Sequence, residues 1–136
     1  MNLKHATRDD LGRRAALRLN PEQLVRLADA LPEDEAGLIR GRFAEGLTYR
    51  TLARRYRTDP RRIRRRIERI ASRMQSPEFR FTLLHESELT PKLRKTARLL
   101  FLHGQSLRHT AQATGNSLHR IRTDRATLQT LARATD

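Results

Sequence analysis

Apolar residues recur along this chain every three or four positions, and no useful stretch alternates apolar with polar. That period is the signature of α-helices that each bury one stripe, and the missing alternation argues against strands. The pattern predicts an all-α fold of seven to nine helices with no sheet. Leu11, Ala15 and Leu19 make a first stripe, with Thr7 as N-cap and Asp10 three residues on. Asn20 and Pro21 then provide an N-cap and a first helical residue ahead of Leu24, Leu27, Ala28 and Leu31. After Pro32, Glu33, Asp34 and Glu35 complement the positive start of the next helix, and that role is enough to explain them. Leu38, Ile39 and Phe43 of this helix face the core, and Gly46 ends it. Thr48 caps a short helix with Leu52, Ala53 and Tyr56, and Arg57-Thr58 turns the chain. Asp59 and Pro60 open a helix to about Met74, whose Ile63, Ile67 and Ile70 share one face. Ser76-Pro77-Glu78 starts another short segment.

From Leu89 the pattern begins again, 58 residues after Leu31. In register, Phe43 meets Phe101, Gly46 meets Gly104 and Arg50 meets Arg108. Ala53 meets Ala111, and Arg62-Ile63-Arg64 meets Arg120-Ile121-Arg122. Thr90-Pro91 opens the second copy, and Ser106 and Ser117 stand near the positions of Thr48 and Asp59. Each copy reads as a helix, a Gly, a short helix, a tight turn and a further helix. That is the grammar of a helix-turn-helix unit. The expected organisation is an N-terminal helical segment (1–30), a first three-helix unit (31–75) and a second (76–136). Ala53 and Ala111 suit the close helix crossing, and Ile63 and Ile121 anchor the last helix. Four residues after the Ala, the turn wants positive φ. Gly115 suits it; Arg57 does not, so the first turn is expected to be built differently or to carry strain.

Charge decides what such units would touch. Lys and Arg total 29 against 15 Asp and Glu, a net +14, and nearly all of it is Arg. Such an excess attracts polyanions, and Arg forms bidentate contacts to phosphate and guanine. Between Arg50 and Arg73 there are 11 Arg against Asp59 and Glu68 alone. A solvated face normally mixes signs. On a helical wheel Arg61 and Arg65 lie opposite the Ile seam, Arg62 and Arg69 on one flank and Arg64 on the other. Arg66 sits beside the seam, where it should reach a phosphate or lie along apolar surface. Arg50, Arg54, Arg55 and Arg57 add charge just ahead, and Thr48 starts that helix. In the second copy His119 and Thr123 face away from Ile121, with Arg120, Arg122 and Arg108 alongside. Arg125 stands where the first copy has Ile67, so this helix should bend, end early or meet a partner there.

Other chemistry finds little support. Without Cys there is no disulfide framework and no thiolate zinc site. His103, His109 and His119 are spaced by six and ten, which puts no pair on one helical turn. No glycine-bracketed nucleophile and no Gly-rich phosphate loop with Lys occurs. No apolar run suggests a membrane span or a signal peptide. The expectation is a cytoplasmic, nucleoid-associated protein that is not an enzyme and needs no metal or cofactor.

The first copy resembles region 4 of the bacterial sigma-70 family, in particular the extracytoplasmic-function type. The likeness runs from Leu31 to Met74. It rests on Leu31-Pro32, Phe43-Ala44-Glu45-Gly46-Leu47-Thr48-Tyr49, Leu52-Ala53 and the Arg-rich helix anchored by Ile63 and Ile67. It implies a module that reads an upstream promoter element and contacts RNA polymerase. Arg61, Arg62 and Arg65 would then read bases, and Thr48 and Arg50 would approach phosphate. The 30 residues before it are too few for that family's promoter-melting region, so the chain is read as region 4-like rather than as a complete sigma factor. The leading expectation is a sequence-selective, double-stranded DNA-binding regulator. The rivals are a DNA-processing accessory of a phage or mobile element, akin to a small terminase subunit or a recombinase's DNA-binding part, and an RNA polymerase-binding adaptor. A homodimer is compatible with each.

Overall fold

The structure, a computed structural model, describes residues 19–135. The expected helix capped by Thr7, with Leu11 and Ala15 on its stripe, lies outside the described residues. Every regular element among the described residues is helical, and they form eight α-helices. The chain divides into two compact units, the first ending at Gln75 and the second beginning at Ser76.

In the first unit, α1 spans Pro21–Leu27 and runs into a 3-10 turn, Ala28–Ala30. It starts with a reciprocal capping box: Gln23 N–H donates to Asn20 Oδ1 at 2.9 Å, and Asn20 N–H to Gln23 Oε1 at 3.0 Å. α2 is Glu33–Phe43, α3 is Tyr49–Arg55 and α4 is Pro60–Met74. Thr48 caps α3 by accepting from Thr51 N–H, and Asp59 caps α4 by accepting from Arg62 N–H. Leu24, Leu38, Ile39, Leu52, Ile63, Ile67 and Ile70 are buried, as the stripes predict; Phe43 is only half-buried. Helix α2 ends at Phe43, so Gly46 does not terminate it but sits in the following turn at φ 67°. Gly41 lets α2 and α3 approach closely: a Cβ there would stand 2.9 Å from a methyl of Leu52.

The second unit opens with α5, Pro77–His85, capped by Ser76, and a 3-10 turn at Glu86–Glu88. α6, Pro91–Ala97, widens into a π turn at Arg98–Leu102. α7 is Leu107–Thr114 and α8 is Leu118–Thr135. Each of the last three helices starts where the repeat puts it. Ser106 accepts from His109 N–H and Ser117 from Arg120 N–H, matching Thr48 and Asp59. Gly104 takes φ 64° against 67° at Gly46. Helix α8 runs without a break to Thr135, and Arg125 on it is exposed. The expected early end therefore does not occur, because Leu128 and Ala132 resume the buried stripe one turn later and pack with Phe81 and Ala97.

The turns before α4 and α8 are built alike. Thr58 N–H donates to Ala53 O at 2.9 Å, and Asn116 N–H to Ala111 O at 3.1 Å. This closure holds one residue in the left-handed region: Gly115 at φ 69° and Arg57 at φ 55°. Of the two expectations for Arg57, strain is the outcome. A residue with a Cβ loses about 1 kcal/mol there that glycine does not.

The cores differ more than the turns. Thr96 and Thr110 stand where the first copy has Leu38 and Leu52, and all four are fully buried. Neither threonine hydroxyl has a hydrogen-bond partner among the described residues. A buried, unpartnered hydroxyl costs about 1–3 kcal/mol. Thr96→Val or Thr110→Val keeps the shape and removes the hydroxyl, so each should stabilise the protein by about 1 kcal/mol in a denaturant melt. A lower midpoint for both variants would mean that enclosed water satisfies these groups.

Candidate nucleic-acid interface

Helix α4 is held by one side. Ile63, Ile67 and Ile70 are each at most 2% exposed and pin it to α2 and α3. The wheel then turns Arg61 and Arg65 directly outward and places Arg69, Arg62 and Arg64 on the flanks. All five are exposed, as are Arg50, Arg54, Arg55 and Arg57 just before them. The chain thus gathers nine of its arginines on the surface of two successive helices and the turn between them.

Their partners separate them into two groups. Arg62 lies 3.4 Å from Asp59, Arg64 3.0 Å from Glu68 and Arg55 3.8 Å from Glu45. These are exposed pairs, worth little and easily exchanged for another anion. Arg50, Arg54, Arg57, Arg61, Arg65 and Arg69 have no carboxylate within 4 Å among the described residues. Thr48, expected near phosphate, has its hydroxyl engaged at the start of α3, accepting from Thr51 N–H and donating to Thr51 Oγ1.

Two arginines go elsewhere. Arg66 was expected to reach a phosphate or lie along apolar surface. Instead its guanidinium donates to Asp34 on α2 at 2.5 Å. Arg73 makes a two-pronged pair with Glu35, also on α2. The acidic start of α2 therefore does more than complement its helix dipole, since it clamps the flank of α4. Composition hides this clamp, but the repeat carries a trace of it. The second copy has Lys92 where the first has Asp34 and Asp124 where it has Arg66, so the signs are exchanged.

The second unit presents a different surface. His119, Thr123, Ala126, Thr127 and Thr130 are exposed along the outer side of α8, and His119 and Thr123 take the places of Arg61 and Arg65. Thr123, Thr127 and Thr130 donate their hydroxyls to carbonyls one turn back, at 3.0–3.2 Å. Arg120 is drawn to Asp124 at 3.3 Å, while Arg108 and Arg122 are exposed. Arg→Thr and Arg→Asp exchanges at 123, 124 and 127 leave an open groove between α6 and α8, lined by Lys92, Leu93, Asn116 and Arg120 among others. Among the described residues no cluster of His, Asp or Glu could hold a metal ion, and no helix is long and apolar enough to cross a membrane.

The clamp can be tested by its two halves. The Glu35–Arg73 side chains are 14% and 20% exposed, those of Asp34–Arg66 59% and 37%. Glu35→Ala should therefore cost about 2 kcal/mol in urea denaturation, and Asp34→Ala less than about 1 kcal/mol. Equal small losses would show that water screens both pairs. No protein-family model, no curated protein and no solved structure matches the chain.

Proposed function

We propose that the protein is a non-enzymatic, sequence-selective regulator that binds double-stranded DNA through α4. The observation that carries this reading is the outer face of α4, where Arg61, Arg65 and Arg69 stand exposed with no carboxylate partner among the described residues while the opposite face is locked in the core. An α-helix with its side chains is about 10–12 Å across and the major groove about 12 Å wide, so α4 fits lengthwise. Two arginines one helical turn apart can each hold a guanine edge through a bidentate pair. Arg50 and Arg54 on α3 fit the role of phosphate contacts that set the register on the duplex. In this reading α3, the turn and α4 form a helix-turn-helix like that of sigma region 4, and the protein works with the nucleoid in the cytoplasm.

The outer side of α8, where His119 and Thr123 replace Arg61 and Arg65, favours a second role for the second unit. Three threonines on it already donate to their own backbone, which suits packing against protein better than reading bases. RNA polymerase or a second copy of the chain is the partner this face would take.

Duplex titrations by fluorescence anisotropy test the reading. Affinity should fall steeply with salt, with a log–log slope on the order of −4 or steeper. Arg61→Ala and Arg65→Ala should each weaken binding to a selected sequence by about 1–3 kcal/mol and flatten its advantage over random duplex. A slope near zero removes the arginines from the DNA. Equal losses on selected and random duplexes leave a basic helix that reads no bases. For the second unit, the double change His119→Ala plus Thr123→Ala should reduce self-association or polymerase binding with duplex affinity unchanged. A loss of duplex affinity instead would place α8 on the DNA.

A further inference from the structure

We propose that Arg57 is a phosphate clamp whose backbone strain is accepted for the sake of a contact outside the protein; the proposal rests on the DNA-binding reading above. Arg57 is the one non-glycine residue at positive φ among the described residues. The turn itself imposes that conformation. Its backbone is closed by Arg57 N–H to Arg54 O at 3.3 Å and Thr58 N–H to Ala53 O at 2.9 Å. The second copy closes with the same two bonds, Gly115 N–H to Gln112 O at 3.4 Å and Asn116 N–H to Ala111 O at 3.1 Å. There the left-handed residue is glycine, which takes it without strain. The chain therefore has a relaxed solution to this turn and does not use it in the first unit.

Among the described residues no contact of the side chain offsets the cost. The Arg57 side chain is exposed, and its guanidinium has no hydrogen bond and no carboxylate within 4 Å among the described residues. Its neighbours make the position worse for a cation rather than better. The first turn of α4 carries no acid, and Arg61 and Arg62 already stand at that positive helix start. A strained residue persists where something else over-determines it, and such residues gather at binding sites. The one acid at the head of α4, Asp59, is taken up by Arg62, from whose N–H it accepts at 2.9 Å and whose guanidinium lies 3.4 Å away, so the counter-charge for Arg57 is left to an anion from outside. On a duplex with α4 in the major groove, the turn before that helix faces the sugar–phosphate backbone, whose oxygens match a guanidinium in charge and geometry.

The test compares full-length wild type with Arg57→Gly and Arg57→Lys, by thermal melting and by anisotropy on selected and random duplexes across a salt series. Arg57→Gly should melt a few degrees higher, because the strain is gone. It should also bind both duplexes roughly five- to tenfold more weakly at low salt, with a slope shallower by about one. Arg57→Lys keeps strain and charge, and should melt like wild type with its slope retained. Three results overturn the proposal: an Arg57→Gly protein with wild-type affinity and slope, one that melts no higher, or an Arg57→Lys protein that loses as much binding as Arg57→Gly. If wild type itself fails to bind duplex DNA, the DNA-binding reading falls. If wild type binds and Arg57→Gly is indistinguishable from it on DNA, only the clamp falls.

Discussion

The first unit depends on a single seam, the line of Ile63, Ile67 and Ile70 that holds α4 by one side. Burying three such side chains contributes on the order of 1.5–3 kcal/mol each. Like charges one helical turn apart, such as Arg61 and Arg65, cost only about 0.2–0.5 kcal/mol per pair. The seam therefore carries a helix that its own charge would otherwise unravel. Asp34 and Glu35 on α2 reinforce it from the flank by taking Arg66 and Arg73 out of the crowd. What remains is a face with almost one sign of charge, presented on a rigid element. That separation of a fixed apolar side from a free cationic side makes the arginines available as a group.

The two copies show which parts of this plan are constrained and which are free to drift. Caps and turns coincide position by position, because a helix start needs an acceptor for its unpaired N–H groups and the closing turn needs one left-handed residue. The interior has diverged: two buried leucines of the first copy are threonines in the second, and Ile67 has become the exposed Arg125. The second unit compensates with Leu128 and Ala132, packed on Phe81 of α5, which precedes the repeated part. The outer face has diverged most. Arg61 and Arg65 give way to His119 and Thr123, so the same frame carries a strongly cationic surface once and a less cationic one the second time.

Helix starts were legible because Asn20, Thr48, Asp59, Ser76, Thr90, Ser106 and Ser117 each combine a side-chain acceptor with the right neighbours. Periodicity identified the buried stripes, since Ile63, Ile67 and Ile70 can share only one face of a helix. The exposed arginines followed by geometry, because whatever is opposite a buried stripe faces water. The pairing of Arg66 with Asp34 was not legible, for a related reason. The place of Arg66 beside the seam was clear, but the wheel of one helix says nothing of what a neighbouring helix brings to that flank. The early end considered at Arg125 does not occur, because a single apolar position does not decide whether a stripe continues one turn later.

The sequence by itself determined the all-α class, the helix starts, the repeat and the sign and location of the charge. These rest on local rules, namely capping, turn conformation and the 3.6-residue period, which act within a few residues. Only the tertiary structure decided which arginines stay free and which are spent on α2, and that Thr96 and Thr110 bury hydroxyls without a partner among the described residues. Each of these depends on atoms brought together from distant parts of the chain, and no local pattern specifies which groups will meet.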